Sequence, residues 1–234
     1  MNKNIIIIGS GFSSLSASCY LAKWGYDVSV YEKNDTIGGR AGQLAKNGFT
    51  FDLGPSWYWM PDIFDKFFAD FEKKTSDYYD LQKLSPAYKI FFLDDTITIG
   101  DCMDEICLEF DRIELGSSIH LRKFISKAQK NYDIAINKVV LKPGLSPFEL
   151  VTKDTVTKVD QFFKSISGEI RKKFKNPKLI STLEFPVLFL GQNLANTFIL
   201  QFYELLPILV WAHGILKVGM YEIIKAMHNL GFKT

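Results

Sequence analysis

The chain has 234 residues, 47% hydrophobic and 23% charged, which is enough to bury a core in one large domain or two small ones and excludes a disordered or collagen-like chain. Lys and Arg number 28 against 26 Asp and Glu, so the formal charge is +2 and phosphate attraction is too weak a theme for a nucleic-acid binder. Aromatic residues make up 15%, an excess that suits an extensive apolar interior or an apolar ligand, with plain core the commoner use.

The N-terminal run Ile5 to Ile8 is too short for a signal-peptide core and reads as a β-branched strand of a parallel sheet covered on both faces. Gly9-Ser10-Gly11 stops it. From Phe12 to Trp24, Leu15, Cys19 and Leu21 recur among small residues at helical spacing, and Gly25 supplies a left-handed stop. Val28 to Glu32 alternates as a second strand, so the opening forms a β-α-β unit, followed by a loop from Asn34 to Gly39. Tyr88 to Leu93 and Thr96 to Ile99 predict a hairpin turned by Asp94-Asp95, and Asp101, Asp104 and Glu105 mark a helix start. Ser117 to Val140 predicts a long helix with Leu121, Phe124, Ile125, Ala128, Tyr132, Ala135 and Ile136 on one core-facing stripe. Pro143, Gly144 and Pro147 break the chain before a helical stretch over 152–174, and the basic run 171–175 reads as a solvated helix end in preference to a contact with anionic lipid. Phe198 to Ala212, interrupted by Glu204 and Pro207, is shorter than the roughly 20 residues that span a bilayer.

Several chemistries are disfavoured by spacing. Cys19, Cys102 and Cys107 form no CxxC pair, which predicts neither a disulfide framework nor a zinc site and fits a reducing compartment. His120, His213 and His228 lie in separate segments, so no metal is expected. Ser10 sits between two glycines and only superficially resembles a nucleophile elbow, and no Walker lysine follows the turn.

Gly9-x-Gly11-x-x-Ser14 follows a predicted strand and opens a predicted helix, the context of a dinucleotide-binding turn. The first glycine makes the tight turn, and the second lets backbone approach a pyrophosphate at the positive end of the helix. Ser14 replaces the usual third glycine but is small. Glu32, 21 residues after Gly11, stands where an acid accepts hydrogen bonds from the adenosine ribose, and its charge disfavours a 2′-phosphate. Turn and acid together do not choose between NAD and FAD. The Gly38-Gly39-Arg40 segment lets the chain pass close to a diphosphate with a guanidinium nearby, and the turn from Asp52 to Ser56 could set backbone against a ring system.

Glu32 to Arg40 and Phe51 to Ser56 resemble the N-terminal FAD-binding region of flavin amine oxidases, protoporphyrinogen oxidases and bacterial-type phytoene desaturases. Gly54-Pro55-Ser56-Trp57 with Met60-Pro61, the stretch Leu84 to Phe92 and the stretch Thr182 to Gly191 are most similar to the phytoene and carotenoid desaturases, with fading strength to about residue 230. The resemblance implies an α/β fold, a Rossmann-like FAD-binding βαβ domain with an inserted mixed α+β, largely helical substrate region, incomplete relative to the family, with the FAD-binding region placed over 1–85 and the partial substrate region over 86–234. It implies FAD as cofactor, with Gly9, Gly11, Phe12, Ser13 and Ser14 at the pyrophosphate and Glu32 on the ribose. Gly39 and Arg40 would lie on the phosphate side, and Gly54, Pro55 and Ser56 on the flavin side.

The activity implied is hydride transfer from a long apolar isoprenoid to flavin. The location implied is cytoplasmic, peripheral at the inner face of the cell membrane. No side chain is assigned a catalytic acid or base. Family members continue past the point where this sequence stops, and their Tyr-Pro-x-Gly-Gly-Met-Tyr stretch appears as Leu216 to Tyr221 without its proline and one glycine. A truncated or split, non-catalytic FAD-binding fragment needing a C-terminal half on another chain is therefore one alternative expectation, and a flavin amine oxidase is another.

Overall fold

The computed structural model describes residues 3–136, 145–146, 165–190 and 214–231. They fall into two compact units, residues 1–83 with 214–234 and residues 84–213.

The first unit opens with strand β1 (Asn4–Ile8), helix α1 (Phe12–Lys23) and strand β2 (Asp27–Tyr31). The strands pair in parallel, Ile5 opposite Val28 and Ile7 opposite Val30. α1 ends at Trp24 because Gly25 takes φ +84°, a left-handed conformation that costs glycine little. The expected cover on both faces of β1 is absent: among the described residues β1 pairs with β2 alone, and Ile6 and Ile8 are 67% and 87% exposed. A run of isoleucines specifies a strand, but whatever covers it must come from elsewhere in the fold.

Strands β3 (Gln43–Lys46) and β4 (Phe49–Asp52) form a hairpin turned by Asn47 and Gly48, both at positive φ, the two-residue Asn-Gly turn whose twist suits paired strands. Helix α2 (Pro61–Ala69) starts with proline at its first turn, where a missing N–H costs nothing, and buries Phe67 and Phe68. Strand β5 (Leu81–Lys83) follows.

In the second unit, strands β6 (Tyr88–Phe91) and β7 (Thr96–Ile99) form the expected antiparallel hairpin. Helix α3 (Met103–Ile113) carries Asp104 and Glu105 in its first turn, where carboxylates complement the helix dipole. Helix α4 (Ser117–Ala135) buries Leu121, Phe124, Ile125, Ala128 and Tyr132, and Ile136 just beyond it is also buried, so most of the predicted stripe is core. Its predicted extension to Val140 lies outside the described residues.

Helix α5 (Ile166–Arg171) and helix α6 (Pro177–Glu184) complete the packing, while most of the predicted helix over 152–174 lies outside the described residues. The basic run closes α5: Arg171 pairs with Glu184 and Lys172 with Glu169, whereas Phe174 is fully buried against Phe110. Ile97, Phe110, Phe124, Ile170, Phe174 and Leu179 belong to one core cluster.

The chain then returns to the first unit. Strand β8 (Gly214–Leu216) pairs antiparallel with β5, and helix α7 (Tyr221–Gly231) packs on α1. The sequence reads 86–234 as one region, but 214–231 completes the core that contains Leu15, Cys19, Tyr58 and Phe68 through Ile223, Ile224 and Met227. Helical periodicity shows which face of α7 is apolar, not which element it covers.

Candidate functional site

Gly9 leaves β1 at φ +92° and donates its N–H to the Tyr31 carbonyl at 2.7 Å, so the turn is fastened to the end of the second strand. Ser10, 2% exposed, makes three polar contacts from there. Its N–H and hydroxyl both donate to Oε2 of Glu32, at 2.9 and 2.7 Å. Its carbonyl accepts the Gly38 N–H at 2.9 Å. The other Glu32 oxygen, Oε1, accepts the Asn34 N–H at 3.0 Å and the Asn34 side-chain amide at 2.9 Å. The Ser10 hydroxyl first, then the Asn34 and Ser10 N–H groups, stabilise the charged form and hold the Glu32 carboxyl down at about 2.

Gly38 and Gly39 turn at φ +104° and +57°, and a Cβ placed on Gly39 would stand 3.4 Å from the Gly11 Cα. Gly54 closes the arrangement from another side, since a Cβ there would collide with the Arg40 carbonyl oxygen. The structure thus gathers the glycine turn, Glu32, Gly38 to Arg40 and Gly54 into one constellation built largely from backbone. A Cβ on Gly9 or Gly11 would meet nothing within 4 Å, so the space over the turn is open to a ligand. α1 begins there with Gly11 as its cap residue, no capping side chain and no acid in its first turn, which leaves helix N–H groups aimed at that space. Uncapped N–H donors beside an ionised acceptor suit a diphosphate joined to a ribose diol.

The remaining expected site residues contribute unequally. Ser13 is exposed and Ser14 half-buried in the first turn of α1. Phe12 offers its backbone to the turn, but its ring packs against Phe64 with centroids 6.2 Å apart. Arg40, Pro55 and Ser56 are exposed.

Sequence reasoning missed Ser10, Asn34 and Asp52. Ser10 has a signal in hindsight, as the side chain between two turn glycines; Asn34 has only its place just after the acid. Asp52 accepts the Met220 N–H at 2.8 Å and the Tyr221 N–H at 3.4 Å, capping α7. Gly219 is at φ +106°, and a Cβ there would come within 2.8 Å of the Asp52 carboxylate. α7 in turn sets Ile224 beneath Gly38, where a Cβ would lie 3.2 Å from it. The C-terminal segment thereby supports the turn from below.

In the second unit, Asp101, Cys102 and Glu105 are the described residues whose ligand atoms cluster, within 4.8 Å of one another. This cluster sits at the start of α3, where Glu105 accepts the Asp101 N–H. Among the described residues no helix is long and apolar enough to cross a membrane.

The β-α-β unit and its turn are Rossmann-like, and residues 7–73 match the model of the NAD(P)-binding Rossmann-like domain. Over most of its length the chain is similar to curated carotenoid and diapophytoene desaturases. It is 39% identical to the carotenoid 3,4-desaturase of Haloarcula japonica, over 83% of this chain and 40% of that protein. It is 32% identical to the 4,4'-diapolycopene oxygenase of a Methylomonas species, over 98% of this chain and 47% of the other. Among solved structures, an oxidoreductase from Methanosarcina mazei superposes with a TM-score of 0.65 at 16% identity, over 97% of this chain and 49% of that one. A putrescine oxidase superposes with a TM-score of 0.60 at 15% identity, over 98% and 49%. The chain therefore spans about half the length of the curated relatives it matches.

Proposed function

We propose that this chain forms the adenosine-diphosphate-binding part of an FAD-dependent desaturase acting on long, carotenoid-type isoprenoids. The observation that carries this reading is the convergence of the glycine turn, Glu32 and Gly38 at Ser10, with Gly54 packed against Arg40 beyond it, next to an open, uncapped helix N-terminus. The backbone from Gly9 and Gly11 through Phe12, Ser13 and Ser14 holds the pyrophosphate, and Glu32 accepts the ribose hydroxyls. Gly39 and Arg40 approach the phosphates, and Gly54, Pro55 and Ser56 face the flavin. Once bound, FAD supplies a hydride acceptor for an allylic C–H of the substrate. The sequence relatives, named for carotenoid and diapophytoene chemistry, favour this over an amine oxidase, which shares the fold at far lower identity. Substrate of this class dissolves in lipid, so we place the protein at the inner face of the cell membrane as a peripheral partner.

A specific observation supports the need for a complementary half. Lys3 and Gly9 direct their backbone groups toward β2, so in a parallel ladder the alternate residues Asn4, Ile6 and Ile8 direct theirs away from it. Dinucleotide-binding sheets place their first strand centrally. An isoleucine strand with one edge unpaired among the described residues and with exposed side chains therefore favours completion by the other half of the fold, on another chain in the split reading.

The test is flavin retention. The purified chain, alone and mixed with the part of the Haloarcula japonica relative outside the match, is incubated with FAD and passed through gel filtration. Retained flavin absorbance supports the reading. Gly11→Ala should abolish it while leaving thermal unfolding unchanged, because the added Cβ meets only ligand space. Retention by neither sample, or equal retention by Gly11→Ala, overturns the reading.

A further inference from the structure

A carboxylate offers about four acceptor positions, and in Glu32 all four are engaged: Ser10 N–H and hydroxyl on Oε2, Asn34 N–H and side-chain amide on Oε1. A ribose diol cannot add to this set. One existing donor must leave, and the two residues differ in how easily they can. Ser10 is buried, and its backbone is fastened at both N–H and carbonyl, to Glu32 and Gly38. Asn34 is exposed, and its side-chain amide can exchange Glu32 for water at little cost, while its backbone N–H keeps Oε1 oriented.

We infer that Ser10 is a positioning residue that holds the Glu32 carboxylate for a ribose diol, and that the Asn34 side chain is a placeholder which the diol displaces on binding. This rests on the reading of the turn as an adenosine-nucleotide site, and it adds to that reading two residues with opposite expected effects. Removing the Ser10 hydroxyl frees the carboxylate to rotate and takes away its strongest donor. Removing the Asn34 amide takes away only a competitor of the ligand.

The probe is ADP, which carries both the diol and the diphosphate, with 2′-deoxy-ADP as its partner lacking one hydroxyl. Binding is measured by calorimetry for the wild type, Ser10→Ala, Ser10→Thr and Asn34→Ala. Loss of a hydrogen bond to a charged group predicts that Ser10→Ala binds ADP about 10-fold or more weakly. It should also discriminate poorly against 2′-deoxy-ADP. Ser10→Thr, which keeps the hydroxyl, should recover both. Asn34→Ala should bind ADP as tightly as the wild type or up to about 3-fold tighter, since no amide has to be displaced. A second readout needs no nucleotide: the Glu32 side-chain carboxyl, followed by carbon-detected NMR, should titrate at higher pH in Ser10→Ala than in the wild type.

Weaker ADP binding by Asn34→Ala overturns the placeholder role. Unchanged binding and unchanged Glu32 titration in Ser10→Ala overturn the positioning role. These outcomes are distinct from failure of the nucleotide reading, which shows as a wild-type chain that binds neither ADP nor FAD; in that case the inference falls with it.

Discussion

In the unit formed by residues 84–213 the groups that matter are buried side chains: Ile97, Phe110, Phe124, Ile166 and Phe174 are nearly or completely inaccessible and pack against one another. In the first unit the convergent groups are amides, carbonyls and a single carboxylate, and two isoleucines of β1 lie largely in solvent. The second unit is organised by volume. Around its turn, the first is organised by the absence of volume: without side chains Gly39 lies against Gly11 and Gly54 against Arg40, while the bare Gly11 leaves room above the turn. Lost atoms should therefore damage one unit, and added atoms the site of the other.

The largest effect expected is that of Phe174→Ala. Emptying a fully buried aromatic site costs about 3–5 kcal/mol, measured by denaturant unfolding, and under conditions where the variant stays folded ADP binding should be unchanged. Equal loss of stability and ligand affinity would break the distinction between the units. Next comes Gly54→Ala, whose Cβ must push the Arg40 carbonyl aside; overpacking of this kind costs about 1–3 kcal/mol, and here flavin retention should fall as well. Asp52→Ala removes the carboxylate that caps α7 and should cost about 1 kcal/mol, with Asp52→Asn recovering part of it. If Asp52→Ala also weakens ADP binding, the support of the turn by α7 extends to function.

The smallest effect concerns pH. The Glu32 carboxyl is depressed from its usual 4.5 to about 2, so its contribution to the turn is complete above pH 4.5 and lost as pH falls through about 2. Glu32→Gln should lack this acid-dependent step in unfolding curves, and an unchanged curve would show that the four hydrogen bonds contribute nothing to folding.

Much of this was legible in the order of residues. Ile5 to Ile8, the glycine turn, the helix stopped by Gly25, the hairpin around Asp94-Asp95 and the stripe of α4 all depend on local geometry, in which a few neighbouring residues decide the outcome. The same holds for Glu32, whose distance from the turn follows from the length of one β-α-β unit. The aromatic excess was less informative. Tyr20, Tyr58, Phe67, Phe68, Phe71 and Tyr79 stack on one another in the first unit, and Phe110 and Phe174 in the second, so these rings serve as core.

Ser10, Asn34 and Asp52 were not legible as site residues because a hydrogen bond has no signature in spacing. Ser10 reaches 22 positions along the chain to Glu32, and Asp52 reaches 168 to Met220. The placement of 214–231 beside α1 was hidden for a related reason: an amphipathic helix declares that it has an apolar face and is silent about its partner. By itself the sequence determined the local elements, the dinucleotide-type turn and the acid that follows it, since each depends on short-range backbone preference or the fixed length of one repeat. Only the tertiary structure decided that the glycine turn, Glu32 and Gly38 meet at Ser10 and that the helix over 221–231 underlies Gly38, because long-range contacts are selected by packing and hydrogen-bond geometry that no single segment contains.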